Sequence, residues 1–386
     1  MLTNADNCCG CGLCVEVCPT DAIQMKRDTN GFVYPEIDKK KCTGCNKCDL
    51  TCSFRNKNFE ESNKKPIKQY IARSRNNETL DSSSSGGLFT EISDGILRNN
   101  GVIYGVGFDT NFNVFFKRAK DSQGRNLMRG SKYIQSEMNN VYSAIADDLS
   151  KGAYTLFTGT PCQVAAIRSF CLMKNLNIDR LILCDVICHG VSSPLVWEKY
   201  LEFIKQTYYM DRLISVNFRD KSYGSGYNMC IKSETVVYHK YGIQDPFIKI
   251  FSSNFAMRYS CNHCPLKSFS RVSDLTIGDF QNEKKYYRQF ADGKGVSVVL
   301  VNSEKGEKLF NHISSNLDFC VCTMEEATQV NLYRQVEPSK SRVHFFNDVH
   351  TRSFKSVLRK YTEYGLINHI VGSSRRFAKK LISRNI

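Results

Sequence analysis

The stretch "CCGCGLCVEVCP", residues 8–19, places five cysteines in eleven consecutive positions, and its reading decides how the first part of the chain folds. Cys8-x2-Cys11-x2-Cys14-x3-Cys18 recurs 34 residues later as Cys42-x2-Cys45-x2-Cys48-x3-Cys52, with every spacing preserved. Nine of the 18 cysteines of this 386-residue chain fall within its first 52 residues; the other nine are scattered from Cys162 to Cys322. That asymmetry marks a domain boundary. No apolar run is long enough to span a bilayer and no basic-then-apolar leader opens the chain, so a reducing cytoplasm is expected. There, so many thiols read as metal ligands or reactive groups rather than disulfides.

The doubled quartet is the spacing of bacterial two-cluster ferredoxins, in which three close cysteines bind one 4Fe-4S cluster and the fourth crosses to the other. It predicts an α+β ferredoxin-like dicluster domain over residues 1–58. Cys8, Cys11, Cys14 and Cys52 would hold the first cluster, and Cys42, Cys45, Cys48 and Cys18 the second. The short spacing requires tightly wound loops, which Gly10, Gly12 and Gly44 permit. Zinc folds also use CxxC elements, but in two pairs rather than two quartets. Cys9 is out of register and reads as a spectator. Cys18 is followed by Pro19 but Cys52 by Ser53, which weakens the second turn slightly.

Residues 59–68 are polar and read as a linker, after which α/β patterning begins. A Ser/Gly turn at 82–87 precedes a helix with Leu88, Phe89, Ile92, Ile96 and Leu97 on one face, then a strand over 102–108. Such a turn can seat a phosphate or serve as an ordinary helix cap. Ala153 to Phe157 reads as a buried strand, Thr158 to Thr160 as a turn and Pro161 as the first residue of a helix. Cys162 would then lie at a helix N-terminus, where thiolate is favoured. A second strand, Leu181 to Ile187, ends in Cys188-His189-Gly190, and Ser193-Pro194 caps the next helix. With Cys261 and Cys264, Cys162 and Cys188 could supply one further cluster; by spacing alone, two buried thiols and a lone CxxC fit as well. Cys171, Cys184, Cys230, Cys320 and Cys322 read as core, and His189 and His263 as hydrogen-bonding neighbours of ligands. No Walker loop, zincin helix or dinucleotide fingerprint is present.

Taken together, "SSGGLFT" (84–90), "RGSKYIQS" (129–136), "GTPCQVAA" (159–166), "ICHGVSSPLVWEKYL" (187–201), "FRDK" (218–221) and "CNHCPLKSFSRVSDLTIGDF" (261–280) resemble the coenzyme F420 hydrogenase/dehydrogenase beta-subunit family. The resemblance implies an α/β flavin-binding catalytic domain that binds FAD, with an N-terminal family region over 69–150 and a C-terminal one over 151–345. It implies an extra 4Fe-4S cluster on Cys162, Cys188, Cys261 and Cys264. Ser85, Gly86, Gly87, Ser131, Lys132, Tyr133 and Gln135 would contact FAD, and Lys132 would be the cation facing a reduced flavin. Arg271, Asp274 and Asp279 would shape the pocket, and Lys132, Cys162 and Asp279 are the catalytic candidates. The family's Gly-Asp-Phe is usually followed by Trp-Gly, here by Gln281-Asn282, which sets coenzyme F420 in question as substrate.

The formal charge is +15, and residues 346–386 hold nine Lys/Arg against two acidic residues. This tail is expected to be partly amphipathic and helical, with Phe377, Leu381 and Ile382 beside Arg375, Arg376, Lys379 and Lys380. Either it docks on the protein or it touches the inner membrane face. No recognition fold supports nucleic-acid binding. The expected partners are a ferredoxin or another oxidoreductase subunit, and a small hydride donor or acceptor. Three classes stay open: a flavin-dependent iron–sulfur oxidoreductase; an electron-transfer subunit or polysaccharide-biosynthesis reductase that does not use coenzyme F420; and a structural or nucleic-acid-associated iron–sulfur protein.

Overall fold

The computed structural model describes residues 7–55, 65–138, 140–224 and 226–365. In the N-terminal part, β1 (Ile23–Arg27) and β2 (Val33–Ile37) form an antiparallel hairpin. Each cysteine loop closes in a one-turn helix, Leu13–Glu16 and Lys47–Leu50, entered through Gly12 at φ 77° and Asn46 at φ 54°. Glycine and asparagine reverse the chain this way at least steric cost.

The body is built on one eight-stranded mixed sheet. Its strands are β3 (Lys68–Ser74), β4 (Val102–Phe108), β5 (Val114–Ala119), β6 (Thr155–Gly159) and β7 (Leu181–Val186). A small antiparallel sheet of β8 (Leu213–Asn217), β9 (Asn228–Ser233) and β10 (Val237–Tyr241) follows. The main sheet resumes with β11 (Leu275–Asp279), β12 (Ser297–Val301) and β13 (Leu317–Val321). The order across it is β13-β3-β12-β11-β7-β6-β4-β5. The central strands β11, β7, β6 and β4 run parallel, so their carboxyl ends share one edge. They are apolar along their length because helices cover both faces. Helices Leu88–Leu97 and Glu304–Ile313 pack on Ile103, Leu156 and Ile182, and helices Val141–Ser150 and Pro161–Met173 on Tyr104, Phe157 and Leu183.

Helix Leu88–Leu97 and strand Val102–Phe108 stand where the sequence pattern puts them. The expected strand at Ala153 begins at Thr155 instead and runs through Thr158 and Gly159, read above as a turn, because β7 pairs with them. Residue 150 is no structural boundary: β6 lies between β4 and β7, so 69–150 and 151–345 build a single sheet. Nor does a tail begin at 346. Helices Arg342–Thr351 and Phe354–Thr362 pack Phe345, Phe346, Val349, Val357 and Leu358 into the core around Trp197. Most of the expected linker (residues 59–64) and the basic segment from Arg375 to Ile382 lie outside the described residues. No described helix is long and apolar enough to cross a membrane. Of the cysteines expected in the core, Cys171, Cys184, Cys230 and Cys322 are buried, whereas Cys320 is half-exposed on β13, at the end of the sheet order.

Asp245 ties the small sheet to this core. It is fully buried, caps helix Pro246–Ser252 through the Ile248 N–H (2.9 Å), and accepts from the hydroxyls of Tyr200 (2.6 Å) and Tyr238 (2.8 Å). Asp245→Ala strands two buried hydroxyls and an uncapped helix, and is expected to cost about 2–4 kcal/mol in denaturant unfolding. Asp245→Asn, which keeps an acceptor oxygen, should lose less.

Candidate functional site

The carboxyl ends of β4, β6, β7 and β11 open on a cavity of about 300 Å³, the position where α/β sheets bind ligands. Ser85, Gly87, Ser131, Lys132, Tyr133 and Asp279, all expected at the site, line it, as does Gln281. The serine loop is held in place. Lys221 Nζ donates to the carbonyls of Leu80 (2.6 Å), Ser85 (2.7 Å) and Lys294 (2.6 Å), and Ser84 Oγ accepts the Ser131 N–H at 2.8 Å. At the rim, Arg219 pairs with Asp279 at 2.6 Å and reaches the Tyr133 hydroxyl at 3.4 Å. Burial pushes the Tyr133 hydroxyl well above its ordinary pKa, so it stays a donor. A set of serines and a helix N-terminus suit a polar, phosphate-bearing guest such as FAD.

Three of the expected flavin contacts are placed differently. Gly86 lies behind the wall, its N–H on Ser297 Oγ (3.0 Å), and a Cβ there would stand 2.6 Å from the Ala72 carbonyl. Gln135 points to the N-terminal domain, where its Oε1 accepts from Arg258 (2.6 Å). Lys132 lines the cavity but commits its ammonium to the carbonyls of Met128 (2.9 Å), Arg129 (2.9 Å) and Gly130 (3.0 Å). Burial, reinforced by Lys117, lowers its pKa to about 7. It is a clamp on the loop rather than a free cation. Arg271 and Asp274 likewise lie away from this cavity. Asp274 accepts from the Leu183 N–H (2.8 Å) and the Ser303 hydroxyl (2.6 Å), and Arg271 faces Asp185 at 3.7 Å.

Thr160, Cys188, His189, Gly190, Val191 and Asn331 form a wall shared with a second, smaller cavity. On it converge Cys162 from the first turn of helix Pro161–Met173, Cys188 from beyond β7, Cys261 from the turn Tyr259–His263 and Cys264 just after it. Burial, then the neighbouring cysteines, lifts Cys188 far above its usual range. Burial also raises Cys261 to about 11 and Cys264 to about 12, so these three thiols need a metal to ionise, whereas the Cys162 thiol is lowered. Arg258, Lys267 and Arg271 line the same cavity, and the buried Lys267 Nζ has no hydrogen-bond partner among the described residues. Four thiols ringed by cations fit an anionic iron–sulfur cluster. His189 spends both ring nitrogens on Asn331 (3.0 Å) and Asn254 (2.9 Å) and so braces the wall; His263 is exposed.

On the far side of this chamber lies the N-terminal domain. Arg258, 1% exposed, donates to the Cys8 carbonyl (2.8 Å) and the Val33 carbonyl (2.9 Å), approaches Cys8 Sγ at 3.8 Å, and lies 4.2 Å from the Tyr34 ring centroid. Tyr142 donates to the Cys11 carbonyl at 2.9 Å. Burial and then the charges of Cys11, Cys8, Cys52 and Cys48 raise the Cys14 thiol, so thiols of both expected sets lie near it. In the second set, Cys42 and Cys45 are exposed and Cys18 Sγ accepts the Ala22 N–H at 3.3 Å. Cys9, read as a spectator, faces the body's cysteine chamber. Sequence reasoning also missed Arg258, three residues before Cys261 and outside every quoted motif.

Residues 153–327 match the family model for the C terminus of the coenzyme F420 hydrogenase/dehydrogenase beta subunit, and residues 1–24 that of the 4Fe-4S binding domain. Over residues 153–327 the chain carries the C-terminal region of this beta-subunit family. The chain is similar to the F subunit of the F(420)H(2) dehydrogenase of Methanosarcina mazei, at 23% identity over 327 residues that cover 81% of this chain and 84% of that protein. A chain from the F420-reducing NiFe hydrogenase complex of Methanosarcina barkeri superposes with a TM-score of 0.46 at 15% identity, over 76% of this chain and 91% of that one. The four cysteines of the chamber, Cys162, Cys188, Cys261 and Cys264, fall inside the matched span.

The clamp role of Lys132 is testable without any cofactor. In flavin-free protein, Lys132→Met should speed amide exchange over residues 128–131, because three carbonyls lose their shared donor. A lysine serving only a flavin would leave that exchange unchanged.

Proposed function

We propose that this protein is an iron–sulfur flavoprotein oxidoreductase passing electrons between a hydride carrier at FAD and 4Fe-4S clusters. FAD would occupy the cavity at the carboxyl edge of the sheet. Cys162, Cys188, Cys261 and Cys264 would hold one cluster, Cys8, Cys11, Cys14 and Cys52 a second, and Cys42, Cys45, Cys48 and Cys18 a third. The observation that carries this reading is a serial arrangement. The cavity at the carboxyl edge shares the Cys188–Val191 wall with the four-cysteine chamber, and that chamber meets the N-terminal domain at Cys9 and Arg258.

When bound, FAD supplies the exchange between the electron pair of a hydride and the single electrons that clusters accept. The residues of the chain do the rest. The serine loop and the N-terminus of helix Leu88–Leu97 offer hydroxyls and N–H groups to phosphate oxygens. Arg219, Asp279 and the protonated Tyr133 hydroxyl form one polar rim, where a hydride carrier would be oriented. Arg258, Lys267 and Arg271 offset the negative charge of ligated thiolates. Gln281 lines the same cavity, so the residue that departs from the family pattern faces the guest, and the carrier is coenzyme F420 or a relative of different shape.

A second reading, a subunit that feeds a partner enzyme, is favoured by the exposure of Cys42 and Cys45 and by the relative, itself named a dehydrogenase subunit. A polysaccharide-biosynthesis reductase that does not use coenzyme F420 would share the same internal route. Anaerobic purification should yield about twelve irons and one FAD per chain, and Cys162→Ala about eight irons. Eight irons and no flavin in the unmodified protein would overturn the reading. Turnover with reduced coenzyme F420 and a ferredoxin separates the enzyme from the feeding subunit.

A further inference from the structure

Lys132, the cation expected to face the guest of the carboxyl-edge cavity, is spent on three carbonyls. Arg129, earlier in the same motif, is not. It is half-buried and lines both this cavity and the broad groove beside it. Its Nε donates to Thr90 Oγ1 (3.2 Å) and its Nη1 to Ser82 Oγ (2.9 Å), both neutral hydroxyls. Among the described residues the rest of its fork has no hydrogen-bond partner and no carboxylate stands within ion-pairing distance. The acids nearby are exposed or engaged elsewhere. Glu78 is exposed, Asp94 pairs with Arg125 at 3.0 Å, and Glu91 accepts from Ser74 and Asn316. Burial and then the like charge of Arg125 lower the Arg129 pKa, as befits a cation without a counter-ion. The loop serines sort themselves in the same way. Ser83 donates to the Thr79 carbonyl (2.6 Å) and Ser85 to the Val296 carbonyl (2.9 Å), whereas Ser84 only accepts, from the Ser131 N–H, and keeps its own proton. The cavity wall thus presents an uncompensated guanidinium and a hydroxyl with a proton to give, and both call for an anionic acceptor.

We propose that Arg129 and Ser84 seat a pyrophosphate group in this cavity, that of the FAD placed there above. The assignment deepens that reading and, in naming FAD, rests on it. A planar guanidinium meets two phosphate oxygens at once through charge-assisted hydrogen bonds, which a lysine cannot do. Lys132 then serves the seat indirectly, because the carbonyls it clamps, from Met128 to Gly130, belong to the backbone that carries Arg129.

The test uses full-length protein purified anaerobically and stripped of flavin, titrated with FAD, with riboflavin, which carries no phosphate, and with inorganic pyrophosphate. Arg129→Met should weaken FAD binding roughly tenfold or more, the worth of a hydrogen bond to a charged group, and leave riboflavin binding unchanged. Arg129→Lys, which keeps the charge but not the fork, should recover part of that loss. An equal loss for FAD and riboflavin would make Arg129 a mere part of the wall and overturn the proposal. FAD binding that Arg129→Met does not weaken would overturn it too. Unmodified protein that binds neither flavin would instead sink the reading of the cavity as an FAD site. In that case pyrophosphate decides the role of Arg129: binding that is lost in Arg129→Met upholds the anion seat, and binding that is absent or persists overturns it.

Discussion

The Arg258 guanidinium is buried between the cysteine loops and the body, and a buried cation costs several kcal/mol unless its donors are met. Here they are met from both sides at once. The Cys8 and Val33 carbonyls belong to the N-terminal domain, Gln135 to the body, and the Tyr34 ring lies close to the guanidinium. Pulling the two parts apart would strip the Cys8 and Val33 carbonyls from that charge and leave it Gln135 alone. The N-terminal domain is for this reason seated rather than tethered. Other contacts follow the same line: Ser193 donates to the Asn30 carbonyl, and Phe32 and Leu13 enter clusters whose remaining members are mostly body residues.

Rigid seating matters because electron exchange between redox centres depends steeply on their separation, whereas a domain on a flexible link samples many separations. The wall of Cys188 to Val191 is equally fixed, since His189 binds Asn331 and Asn254, the latter next to the helix Pro246–Ser252. Every partition between neighbouring chambers is thus braced by a residue that is not itself a cysteine.

Much of this was legible in the sequence where chemistry is local. The two cysteine quartets carry their own spacing, and the helix after Gly87 its own apolar periodicity. Pro161 announces a first turn, and the structure starts a helix there. What stayed illegible depends on contacts distant in the chain. Lys132 looks like a free cation until its three carbonyl acceptors are seen, and Gln135 sits in a flavin-contact motif yet turns toward the N-terminal domain. Cys9 fails the register test that identifies ligands, and nothing local says that it lines a cavity with a cysteine more than 150 residues later. Arg258 belongs to no motif at all. The extension of β6 through Thr158 and Gly159 was hidden likewise, because pairing with β7 overrides the turn tendency of a Thr-Gly pair.

The strand order also bears on how the molecule is made. β3, the first strand of the main sheet to be synthesised, is bracketed by β12 and β13, the last two. Its two neighbours are complete only at residues 301 and 321, so the sheet cannot close progressively from the N-terminus. The cysteine loops, by contrast, are complete by residue 52. A nascent chain therefore presents finished iron-binding loops long before Arg258 and the body exist to cover them. Maturation accordingly has a natural order, with the N-terminal thiols open to metal delivery first and the body's chamber formed only when the whole fold clasps shut.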